Sequence, residues 1–131
     1  MRPIIALLLL LAACAPTPAA RVPGTESIVT ERLYFGRNIG DTLGVTDSLW
    51  AVFVRDVVSV QVPAGFTYWA AQGGWQDSTG RSTREPSFVL EVVHPVRAAA
   101  DSAIATIIAE YKRRFRQQAV LRVVSPGRAS Y

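Results

Sequence analysis

SFVLEVVHPVRAAADSAIATIIAEYKRRFRQQAVLRVV, residues 87–124, decides the fold. It opens with alternation. Phe88, Leu90 and Val92 fall on one face of a strand predicted over 87–94, and Pro95 stops it. The period then changes. Ile104, Ile107, Ile108, Tyr111 and Phe115 recur at i, i+3, i+4, i+7 and i+11, the stripe of a half-buried helix. Asp101 near its start and Lys112, Arg113, Arg114 and Arg116 near its end suit the helix dipole. Alternation resumes from Ala119 to Val124 and predicts a final strand.

Upstream, Phe66 to Gln76 reads as a strand, with Gly73-Gly74 suggesting a bulge. Asp77 to Arg81 then turns a hairpin into the 87–94 strand. Before it, Trp50, Phe53, Val54, Val57 and Val58 predict a helix over 47–59. Thr46 is its N-cap, and Pro63-Ala64-Gly65 turns the chain after it. Asn38 to Gly44 is a loop, and Thr30 to Arg37 a first strand. The order is strand, helix, strand, strand, helix, strand. That is an α+β, ferredoxin-like βαββαβ arrangement, with two helices on one face of a four-stranded antiparallel sheet. Leu33, Phe35, Phe88, Leu90, Val92, Leu121 and Val123 are expected to face the helices. The opposite face would carry Arg32, Tyr34, Val89, Glu91, Val93, Val120, Arg122 and Val124, with Trp69 or Tyr68. It is apolar for a solvated face and is expected to bind a second copy or another partner.

The chain has 131 residues, half of them hydrophobic, which is enough for one domain with a real core. Its start, MRPIIALLLLLAAC, has one basic residue and a short apolar run. A spanning helix needs about 20 residues, so this is an export signal. Leu11-Ala12-Ala13-Cys14 resembles the lipobox of bacterial lipoproteins. It implies cleavage before Cys14 and lipid on that thiol, the only cysteine in the chain. Residues 1–13 are thus read as signal peptide, 14–25 as a Pro/Ala-rich tether, and 26–131 as one domain. The membrane is the expected partner through lipid on Cys14. Ala15 after the cysteine resembles the outer-membrane pattern, on the periplasmic side. Net charge is +4 from 14 basic and 10 acidic side chains. Losing Arg2 with the signal leaves 13 against 10, too small an excess to argue for nucleic acid.

No catalytic motif stands out, and no cofactor or metal is expected. One histidine and one thiol make none of the usual zinc sets. His94, at a strand end, has nothing to orient it as a base. Trp75, Arg84 and Glu85 share one hairpin and could form a small polar pocket beside an aromatic wall. Tyr34, Trp75, Arg84, Glu85 and His94 are therefore the candidate binding residues. With Glu31, the last three would also form a shallow enzyme site, if they converge.

Several phrases carry a family resemblance: residues 31–37 (ERLYFGR), Trp50 with Phe53, 63–67 (PAGFT), 72–75 (QGGW), 84–87 (REPS) and 111–122 (YKRRFRQQAVLR). Together they resemble the domain-of-unknown-function family 3574 over about residues 28–125. The resemblance implies a small secreted protein or lipoprotein and assigns no catalytic residue. The expectation is a lipid-anchored, non-enzymatic binding or self-associating module of the cell envelope. The alternative is a small envelope enzyme or ligand carrier.

Overall fold

The computed structural model describes residues 22–40, 42–76 and 79–131. Cys14, the signal and most of the tether lie outside them. Strand β1 spans Glu26–Gly36. Helical segment α1 runs through Asp47–Phe53, a wider π turn at Val54–Val58, and Ser59–Gln61. Strands β2 (Thr67–Gln76) and β3 (Ser82–Pro95) form a hairpin. Helix α2 spans Ala98–Phe115, and β4 spans Leu121–Ala129. The sheet is antiparallel in the order β2-β3-β1-β4, the ferredoxin-like order.

The helices form where local chemistry favours them. The Thr46 side chain accepts the Leu49 N–H at 3.3 Å and caps α1. The apolar stripe of α2 buries Ile104, Ile107, Tyr111 and Phe115. These meet Leu33, Phe35, Phe88, Leu90 and Val92 of the sheet and Trp50 and Phe53 of α1. Trp50 stacks on Phe88 with ring centres 4.4 Å apart, and Phe35 meets Tyr111 edge-on at 4.6 Å. Each such buried side chain contributes about 1.5–3 kcal/mol of burial free energy.

Four expectations need correction. The strands are longer, because pairing extends past the alternating stretches. Pro86 sits within β3 beyond the end of β1, and Pro126 lies on the edge strand β4, so neither removes a needed donor. Gly73 and Gly74 make no bulge. They pair in unbroken register with Glu85 and Arg84. The 38–44 loop contains a small ribbon, Asn38–Ile39 against Thr42–Leu43.

The fourth concerns β4. Leu33 lies opposite Arg122 and Glu31 opposite Val124, so Arg122 and Val124 share the helix-side face. Leu121 and Val123 lie opposite Tyr34 and Arg32 on the other face. A one-residue shift moves every side chain of a strand across the sheet.

Candidate functional site

The side chains expected to form one site divide among three places. The first is the hairpin end of the sheet. Arg84 is exposed and pairs in register with Gly74; Trp75 pairs with Thr83, and its side chain lies outside what the structure describes. Glu85 folds back over Gly36, and its Oε1 accepts the Asn38 N–H at 3.0 Å. A Cβ on Gly36 would fall 2.6 Å from that oxygen, so a side chain here would push the Glu85 carboxylate aside. Nearby, Arg37 donates to Val45 O at 2.8 Å and Asp47 Oδ1 at 2.5 Å, and lies 4.4 Å above the Phe88 ring. Tyr111 Oη donates to Gly36 O at 2.8 Å, and burial raises its phenol above the ordinary range. Gln117 donates to Asn38 O at 2.6 Å. The cluster ties the segment after β1 to β3 and α2.

The second place is the opposite end. His94 lies nine residues from Glu85 along one strand, about 30 Å away. Arg84, Glu85 and His94 therefore do not converge. The neighbour of His94 is Glu31, whose side chain is 1% exposed. Arg122 grips both Glu31 oxygens, at 2.8 and 2.5 Å, and reaches Asp101 at 2.5 Å. Those hydrogen bonds, with Glu31 first, hold the Arg122 guanidinium well above the ordinary arginine range. His94 Nδ1 sits 2.8 Å from Pro95 O, and Nε2 sits 3.8 Å from Glu31 Oε1. The Glu31–Arg122–Asp101 triad went unforeseen. The available signal was Glu31 itself, which shares strand parity with Leu33 and Phe35. Beside it lies a cleft of about 630 Å³ between the end of α1, the end of β3 and the start of α2.

The third place is the open sheet face. Trp69, Val89, Tyr34 and Leu121 form one row, in register across all four strands. The next row is Thr67, Glu91, Arg32 and Val123. Val89, flanked by Trp69 and Tyr34, is 2% exposed, whereas Leu121 is 61% exposed. Arg32 and Glu91 pair at 2.5 Å within the second row.

Among the described residues, no three His, Cys, Asp or Glu side chains are grouped to hold a metal, and no helix is long and apolar enough to cross a membrane. The acidic groups set out above are engaged by arginines or backbone. Such an arrangement presents surfaces and a cleft that can bind a partner.

A family model described as Protein of unknown function (DUF3574) matches residues 30–131. No curated protein matches. Among solved structures, a phage SAM lyase bound to S-methyl-5'-thioadenosine is similar, with a TM-score of 0.59 and 15% identity over 88% of this chain and 97% of the lyase. The same lyase in its apo state gives the same values. The B. subtilis GlnK–ATP complex aligns with a TM-score of 0.48 and 10% identity, over 77% of this chain and 82% of that one. At 15% identity the likeness to the lyase carries over the fold, not the chemistry.

Proposed function

This chain belongs to the DUF3574 family, and from that premise we propose that it is a lipid-anchored envelope module that works by self-association through its open sheet face. The observation that carries this is the in-register row Trp69–Val89–Tyr34–Leu121. A solvated sheet face is normally polar, and a contiguous apolar band on one marks a contact surface.

The occupant that fits is a second copy. The Arg32–Glu91 pair beside the row presents both charges, so two faces related by a two-fold axis oppose Arg32 to Glu91. Four strands at about 4.8 Å spacing and about eight residues of depth give roughly 500 Å² a side. Two such faces bury about 1,000 Å², the lower limit for a specific interface. Lipid on Cys14 compensates for that small area by confining copies to one membrane, where effective concentration is high. The lipobox Leu11-Ala12-Ala13-Cys14 and the short tether support this placement at the periplasmic side of the outer membrane.

Sedimentation of the full-length protein in density-matched detergent tests the contact. The expected result is a concentration-dependent dimer that Leu121→Lys with Val123→Glu converts to monomer without lowering the melting temperature. A wild-type monomer at every concentration, or a variant that still dimerises, overturns it. The anchor is tested separately by growth on labelled palmitate, where Cys14→Ala is expected to lose the label.

A further inference from the structure

Strand β2 begins at Thr67, opposite Glu91, whereas β3 continues to Pro95 beside β1. Residues 92–95 therefore have a strand on one edge and none on the other. In an antiparallel sheet each residue directs its N–H and C=O to the same side, alternating along the strand. By this alternation Val93 and Pro95 face the gap; proline has no N–H, so the edge offers the Val93 N–H and C=O and the Pro95 C=O, which lies 2.8 Å from His94 Nδ1. No backbone hydrogen bond joins this stretch to residues 62–66 among the described residues.

The gap is the 630 Å³ cleft. Val62 and Phe66 wall one side, and Ala100, Ala103 and Ile104 of α2 wall the other. The two ends differ in charge. At the Thr67 end, Glu91 is already paired with Arg32 at 2.5 Å. At the Pro95 end stands Arg97, an exposed cleft residue whose guanidinium has no partner among the described residues. Arg97 is also the N-cap of α2; it makes no side-chain cap, and its carbonyl takes the Ala100 N–H at 3.2 Å.

A free strand edge recognises extended backbone, apolar walls recognise side chains, and an arginine at one end recognises an anion. We propose that this cleft captures the carboxy-terminal end of an extended peptide. The last two or three residues lie along β3, whose residues rise about 3.3 Å each, and pair with the N–H and C=O of Val93. The peptide runs parallel to β3, so that its terminal carboxylate meets Arg97. Its last apolar side chain packs between Phe66 and Ile104. The cleft meets the open sheet face at Thr67 and Glu91, which belong to both, whereas its Arg97 end and its α2 wall lie away from that face.

The test is an NMR titration of the full-length protein in detergent with acetyl-Ala-Val-Val bearing a free carboxylate. The same peptide as its C-terminal amide, and sodium acetate, are the comparisons. The expected result is saturable amide shifts at residues 92–94 and 97–100, with the acid binding about tenfold or more tighter than the amide. Arg97→Glu should erase that preference with an unchanged melting temperature, since the residue is exposed. Ala103→Phe, which fills the cleft, should weaken acid and amide together. Equal binding of acid and amide, no shifts at 92–94 at millimolar peptide, or the same pattern from acetate alone overturns the proposal.

Discussion

The Glu31 carboxylate persists inside the core because Arg122 meets both of its oxygens. A buried ion deprived of its partner is costly, by about 3–5 kcal/mol, whereas replacing a pair by apolar groups of similar volume is often neutral. Arg122 is 30% exposed, so the lower end applies. Arg122→Ala should destabilise the fold by about 3 kcal/mol in urea unfolding. Glu31→Leu with Arg122→Leu should cost distinctly less than Arg122→Ala alone. A double variant at least as damaged as the single one would show that the pair does not act as a unit. Residues differ in how far the sequence exposes their roles. The role proposed for Cys14 rests on its near neighbours alone, because a lipobox is a local pattern. The role of Glu85 does not. Its task is to lie over Gly36 and take the Asn38 N–H, and both partners come from 47–49 positions away in the chain.

At the scale of elements, α2 is the most legible. Its apolar stripe, acidic start and basic end agree with one another. Glu110 joins Arg113 at 2.7 Å and Arg114 at 3.1 Å, and these hydrogen bonds, Arg113's first, draw its carboxyl down to about 2. The helix ends at Arg116 with φ 51°, the left-handed turn that glycine adopts without strain. That conformation costs a side-chain-bearing residue about 1–2 kcal/mol, and glycine's extra unfolded-state freedom costs about 0.5–1 kcal/mol. Arg116→Gly is therefore expected to stabilise the protein by about 0.5 kcal/mol, read as a small rise in urea midpoint; a fall would contradict this account. Strand β4 is the least legible element. Val120, Leu121, Val123 and Val124 are apolar at both parities, so alternation cannot say which set faces inward. Pairing of Arg122 with the buried Glu31 and with Asp101 of α2 matches the observed choice.

For the whole molecule, the two proposed contacts centre on different residues and meet at Thr67 and Glu91. One is the flat face of the sheet, and the other is the notch where β2 starts short of the end of β3. Surface substitutions at Leu121 and Arg97 should therefore act independently, the first on association and the second on peptide preference. Sequence by itself determined the order of elements, the ferredoxin-like class and both amphipathic helices, and it alone carries the proposed lipobox. Each of these is written in near neighbours, through periods of 2 and 3.6 residues or a four-residue signal. Only the tertiary structure decided the facing of β4, the separation of His94 from Arg84 and Glu85, and the Glu31–Arg122–Asp101 triad. Those depend on cross-strand register and on partners up to 91 residues apart, which a local pattern does not encode.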